Sequence, residues 1–154
     1  MALFSTLLFA GWSDIDLNGH MQNAAYLEKS VDVRMLFFNS VGFDVAAFAR
    51  LQIGPVVMSD ELRYFKEVGL LAPLTCTLAL AGLAADGSRF RLRNEFLRAD
   101  GALAARVDST GGWLDTAARR LIAPPAELGK ALAAMERCAD FAALPSSLKP
   151  KPAA

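Results

Sequence analysis

An α+β architecture, with one antiparallel sheet of five strands wrapped around a long central helix, is what this 154-residue sequence predicts. Three observations carry the expectation. "NAAYLEKSVDVRMLFFNSVG" repeats apolar residues at helical spacing, four strand-like segments follow in series from Ile53, and a short apolar run precedes the helix. One helix covers little more than one face of such a sheet, so the simplest packing curls the sheet around it.

The elements follow in order. Residues 3 to 12 are rich in Leu and Phe, which suits a largely buried strand. In the helix, Ala24, Leu27, Val31, Met35 and Phe38 fall at steps of three and four, and Val33 and Phe37 widen the stripe. Asn23 suits the N-cap and Gly42 the C-terminal stop. "FDVAAFARL" reads as a short second helix. The strands are "IGPVVMSDELRYFKEV", "LTCTLALAGLA", "SRFRLRNEFLRA" and "ALAARVDSTGGWLD", with "ADG" at 85–87 and 99–101 as hairpin turns. "PPAELGKALAAMERCA" reads as a closing helix opened by Pro. With no internal repeat or linker, residues 1–144 form one domain, and the Pro- and Lys-rich segment 145–154 is expected to be disordered.

Composition narrows the function. Hydrophobic residues make up 54% of the chain and charged ones 21%, an apolar balance whose natural outlet is a subunit interface. Self-association as a dimer or tetramer is therefore expected. Basic and acidic residues balance at 16 each, so no overall field favours nucleic acid. No apolar run reaches the ~18 residues of a membrane span. Cys76 and Cys138 lie far apart without ligand spacing, which suits free thiols in a reducing compartment and a cytoplasmic protein.

The polar chemistry is concentrated in "WSDIDLNGHMQNAAYL", residues 12–27, which contains the only histidine of the chain. Asp14, Asp16, Asn18 and Gly19 match the opening of a calcium loop, but the required carboxylate position falls on Ala25, so no metal is expected. A polar turn with a helix cap accounts for Asn23 and Asp14 and leaves Asp16, Asn18 and His20 unexplained. A catalytic loop at a helix start accounts for more. The first helical turn offers unpaired N–H groups to a carbonyl oxygen that gains charge, while a carboxylate just before it attacks the carbonyl or activates water.

"SDIDLNGHMQNAAYLEKSVDVR" resembles the signature of hot-dog-fold thioesterases related to 4-hydroxybenzoyl-CoA thioesterase, D-x-D-x-x-G-h/v-x-x-N-x-x-Y, with Asp14, Asp16, Gly19, Asn23 and Tyr26 at the matching places. The resemblance covers roughly residues 3 to 122. It implies the hot-dog fold, Asp16 as nucleophile or general base, and the Asn23 N–H as the group that polarises the thioester carbonyl. Gly19 and Tyr26 then line the substrate, and no cofactor is needed. Asp16, Asn18 and His20 are also similar to the D-x-N-x-H of plant acyl-carrier-protein thioesterases, which adds Asn18 and His20 as candidates. The expected substrate is an acyl-CoA, or an acyl-carrier-protein thioester. A hot-dog hydratase or dehydratase is the main alternative, but its motif places His five residues after Asp, and here Asp16 and His20 are four apart. A non-catalytic acyl-CoA-binding protein is the other.

Two further groups await placement. Arg89, Arg91 and Arg93 alternate with Phe90 and Leu92. They form either a solvated outer face paired with neighbouring strands or a site for the phosphates of CoA. Phe37, Phe38, Phe43 and Phe48 either pack the core or line an acyl pocket.

Overall fold

The computed structural model describes residues 2–150. In chain order the elements are β1 (Phe4–Phe9), a 3-10 turn (Trp12–Asp14), α1 (Asn23–Ser40), α2 (Val45–Leu51), β2 (Ile53–Tyr64), β3 (Pro73–Ala84), β4 (Arg89–Arg98), β5 (Leu103–Asp115), β6 (Arg120–Ile122), α3 (Ala126–Ala133) and β7 (Arg137–Leu144). The sheet runs β1-β3-β4-β5-β2 with antiparallel neighbours, and α1 packs on its concave side against β1, β3 and β5. This is the helix-in-sheet arrangement the sequence predicts.

The expected five strands are joined by two more. β6 extends the β5 hairpin, and β7 runs parallel to β3 from Leu80 to Ala84, beyond the stretch where β1 pairs Phe4–Phe9 with residues 73–78. The closing helix is correspondingly shorter than expected. Leu128 and Leu132 bury one side of α3, which ends at Ala133, and the last three residues of the expected helix, Arg137, Cys138 and Ala139, instead open strand β7. Ser146 and Ser147, in the segment expected to be loose, hydrogen-bond with Ser88. Residues 151–154 lie outside the described residues.

Two burial expectations are corrected. β1 is an edge strand with Leu7 and Phe9 exposed, because its outer face has no covering layer. In α1 the buried face carries Tyr26, Ser30, Val33, Arg34, Phe37 and Phe38, whereas Ala24 and Val31 point to solvent and Leu27 and Met35 are half-buried. Apolar residues occur nearly all round this helix, so spacing alone does not select the inward face. Ser30 is tolerated there because its hydroxyl donates to the Tyr26 carbonyl (2.8 Å). Phe37, Phe38, Phe43 and Phe48 are all core residues, and Phe38 and Phe48 pack against the fully buried Trp113.

Arg34 makes the deepest polar contact. Its guanidinium donates to Asn94 (3.0 Å) on β4 and to Ser109 (2.6 Å) on β5, and Ser109 in turn donates to Asp60 on β2. The Asn94 amide completes the set by donating to the Thr77 carbonyl (3.1 Å). Burial pulls the Arg34 pKa down and the Asp60 charge opposes that shift. This relay ties the middle of α1 to four strands, β2, β3, β4 and β5.

Candidate active site

The loop before α1 is shaped by two aspartates with different tasks. Asp14 accepts from the Gly11 N–H (2.7 Å) and pairs with Lys29 (3.0 Å), tying the loop entry to the second turn of α1. Asp16 closes the loop on itself. One oxygen, Oδ1, accepts from the N–H groups of Asn18 (2.8 Å) and His20 (3.3 Å), while the Asp16 N–H donates to the His20 carbonyl (2.9 Å). Gly19 supplies the left-handed conformation (φ 76°) that this tight return requires. Among the described residues Asp16 Oδ2 has no hydrogen-bond partner, so the carboxylate is fixed in place and still has a free oxygen.

The loop is anchored from the other side by the segment after β2. The Met21 N–H donates to the Val68 carbonyl (2.7 Å), and His20 forms a β-bridge with Gly69. α1 starts directly afterwards. Gln22 stands at the N-cap without a side-chain capping bond, and Asn23, expected there, is the first helical residue. The Asn23 side chain accepts from the Ala24 N–H (2.9 Å), and the Ala25 N–H donates to the Gln22 carbonyl (3.1 Å). The Asn23 N–H itself meets no acceptor among the described residues. A free N–H at the positive end of an 18-residue helix is a donor positioned for a partly anionic oxygen.

Asp16, His20, Asn23, Tyr26, Tyr64 and Phe65 line one cleft of about 380 Å³. Lys66 and Glu67 also border it. Tyr26 is buried at its floor, edge-on to Phe96 (5.2 Å between ring centres) and to Tyr64 (5.5 Å). The Tyr64 hydroxyl donates a long bond (3.4 Å) to the Asn23 carbonyl. Burial, the Tyr64 charge and the Asp16 charge, in that order, push the Tyr26 phenol up. Asp16, Asn18, Gly19, His20 and Asn23 are all exposed in the single chain.

The residues expected from the sequence thus divide. Asp16, Asn23, His20 and Tyr26 meet at one cleft, and Gly19 and His20 border the adjoining one. Asn18 enters through its backbone N–H, which holds Asp16. Arg89, Arg91 and Arg93 lie on the opposite face of the sheet from α1. There Arg93 is held by Asp108 (2.7 Å) and Asp140 (2.8 Å), Arg91 donates to Thr110 (3.2 Å), and Arg89 donates to Ser147 (3.3 Å). The sequence reading did not single out Tyr64, Phe65, Lys66 and Glu67, because their link to the loop is a long-range contact with no local motif. The strand period of β2, which puts Tyr64 on the same face as Leu62, was the available signal.

Residues 10–132 match the model of the thioesterase-like superfamily. A curated relative from Agrobacterium fabrum, L-carnitine dehydrogenase/betainyl-CoA thioesterase, is 31% identical over 122 residues, which is 79% of this chain and 24% of that protein. The chain therefore spans about a quarter of that relative's length. Among solved structures, a Staphylococcus aureus protein in complex with CoA superposes with a TM-score of 0.80 at 25% identity, covering 86% of this chain and 82% of that one. A 1,4-dihydroxy-2-naphthoyl-CoA thioesterase from Synechocystis has the same fold, with a TM-score of 0.77 at 15% identity, covering 86% and 97%. No helix among the described residues is long and apolar enough to cross a membrane. With the hot-dog arrangement of its sheet and helix, and with the family match spanning most of its length, the chain belongs to the thioesterase-like superfamily.

Proposed function

We propose that this protein hydrolyses an acyl-CoA thioester to a free acid and CoA. The observation that carries the reading is the pairing, across one cleft, of a carboxylate oxygen without a partner on Asp16 and an N–H without an acceptor on Asn23. The thioester oxygen accepts from the Asn23 N–H, which the helix dipole strengthens as negative charge builds on that oxygen. Asp16 then either attacks the carbonyl carbon, expelling the CoA thiolate and forming an anhydride that water cleaves, or removes a proton from a water that attacks directly. Either route consumes one water and yields the acid and the thiol. Single-turnover hydrolysis in isotopically labelled water separates them, since only the anhydride route can leave the label on Asp16.

A panel of acyl-CoAs assayed for thiol release tests the reading, and release from at least one of them is expected. Hydration of an enoyl-CoA without thiol release would establish the hydratase alternative, and binding without turnover the non-catalytic one. The same panel presented on an acyl carrier protein decides between the two carriers.

The phosphates of CoA need cations. Lys66 borders the cleft, and Arg98 borders the adjoining one with His20 and Glu67, which supports these two over the strand of Arg89, Arg91 and Arg93 across the sheet. Arg98→Ala is expected to raise KM for acyl-CoA and leave KM for a short acyl-thioester without the nucleotide unchanged. The same pattern in Arg91→Ala would assign the role to the outer strand.

The exposure of the loop in one chain, together with an edge strand β2 that offers Val57, Met58 and Tyr64 to solvent and Phe65 just beyond its end, supports a homodimer built on that edge. Light scattering should give at least twice the monomer mass. Two unpaired cysteines, Cys76 and Cys138, support a reducing, cytoplasmic setting.

A further inference from the structure

We propose that the Tyr26 hydroxyl is the second hydrogen-bond donor to the thioester oxygen, beside the Asn23 N–H. The inference rests on the thioesterase reading and adds a catalytic residue to it.

The helix start leaves room for such a donor. Of the first three N–H groups of α1, the Ala24 N–H is taken by the Asn23 side chain and the Ala25 N–H by the Gln22 carbonyl. Only the Asn23 N–H remains. Sites that stabilise a charged acyl oxygen commonly combine a backbone N–H with a further donor, a tyrosine hydroxyl among them.

Tyr26 has a hydroxyl to spare. The residue is only 3% exposed, and its hydroxyl meets no hydrogen-bond partner among the described residues. No fully enclosed side-chain nitrogen or oxygen of those residues lacks a partner, so this hydroxyl reaches open space. The space it borders is the cleft of Asp16 and Asn23. The other polar side chains of the lining, those of Asp16, His20, Asn23, Tyr64, Lys66 and Glu67, belong to exposed residues. A buried hydroxyl sheds little water to meet the oxygen, whereas the exposed Lys66 and His20 must be stripped of theirs.

Helix geometry aims the group. Tyr26 stands three residues after Asn23, on the same face of α1, and a helical side chain leans back towards the N-terminus. Three residues rise about 4.5 Å, which a tyrosine side chain spans. The ring is clamped edge-on by Phe96 at 5.2 Å and by Tyr64 at 5.5 Å, so the direction of the donor is fixed before substrate arrives. Burial above all, then Tyr64 and Asp16, hold the phenol pKa above its ordinary value, so the proton stays on and is donated. The oxygen that gains charge is shared between two donors while Asp16 acts on the carbonyl carbon. Tyr26 keeps its proton throughout.

The test uses the fastest substrate of an acyl-CoA panel that includes acetyl-, hexanoyl- and benzoyl-CoA. Tyr26→Phe keeps the ring and its packing, and kcat is expected to fall about a hundredfold. KM should stay within about twofold, and the melting temperature should hold, since the hydroxyl binds no protein group. A fall in kcat below about threefold, or a rise in KM with kcat intact, overturns the proposal. The ketone analogue of the same substrate, with a methylene in place of sulfur and carbon-13 at the carbonyl, supplies a direct signature. Its infrared carbonyl stretch should drop on binding to the parent protein and recover in part on binding to Tyr26→Phe. An equal stretch in both proteins overturns the proposal even where kcat falls. Should the variant fail to fold, carbon-13 labelling of the tyrosine ζ positions in the parent decides, because the Tyr26 resonance must shift on saturation with the ketone. Thiol release from no member of the panel would remove the thioesterase reading, and this proposal with it.

Discussion

Two polar clusters border the same helix, and they are built on opposite principles. The cluster at the middle of α1, Arg34 with Asn94 and Ser109, is buried, reaches the exposed Asp60 at its outer end, and spends its hydrogen bonds on neighbouring protein groups. The cluster at the start of α1, Asp16 with Asn18, Gly19, His20 and Asn23, lies at the surface and leaves an acceptor on Asp16 and the N–H donor of Asn23 unspent. A satisfied buried network fixes where the helix sits, and removing one member leaves the others unpaired in a poor solvent. An incomplete exposed network costs little while water fills it and remains available to a substrate. Unspent hydrogen-bonding capacity on a rigid frame, rather than the number of polar residues, separates the candidate site from the scaffold.

The two clusters should therefore fail differently. Arg34→Ala is expected to give the largest effect, about 3 kcal/mol of lost stability measured as a lower urea midpoint, because Asn94 and Ser109 lose their buried partner. A loss under about 1 kcal/mol would mean that the relay is not structural. Gly19→Ala comes next. Its φ of 76° strains any side chain, so about 1 kcal/mol of stability should go, and turnover should fall by about tenfold as the Asp16 loop loses its geometry. Nothing lies within 4 Å of a Cβ added there, so an effect would come from backbone strain and not from a clash.

A third expectation concerns Cys76, which sits beside the Arg34 relay. Burial pushes its thiol up to about 12, against the smaller opposing influences of Asn94 and Arg34. A thiol so far above neutral pH carries almost no thiolate, so a thiol reagent at pH near 8 should leave Cys76 unlabelled in the folded protein and label it only after unfolding. Fast labelling without denaturant would show that this region of the core opens readily. The smallest effect belongs to Tyr64→Phe. Its hydroxyl reaches the Asn23 carbonyl only at 3.4 Å, and turnover of any accepted acyl-CoA should change by less than about threefold.

How much of this was legible in the sequence follows from how local each feature is. The Asp16 loop was legible because its residues meet within a few positions and run directly into a helix. The hairpins were legible because Gly87 and Gly101, with φ of 73° and 83°, mark them at the predicted turns. β7 was not, since "ERCADFAAL" continues an apolar helical pattern and becomes a strand only by pairing with the free part of β3. The inward face of α1 was misjudged for a related reason. Arg34 and Ser30 look like surface residues until Asn94, Ser109 and the Tyr26 carbonyl, supplied by the fold, satisfy them. Tyr64 stayed hidden because it meets the loop across 41 residues.

The central claim is that the Asp16 carboxylate performs the chemistry on a frame that does not need its charge. Asp16→Asn tests it most directly, because an amide oxygen can still accept from the Asn18 and His20 N–H groups and hold the loop. The measurement is kcat on whichever acyl-CoA the panel selects, with the melting temperature recorded on the same samples. The account predicts a fall in kcat on the order of a hundredfold or more with the melting temperature little changed. Hydrolysis at the parental rate by a fully folded variant would contradict it.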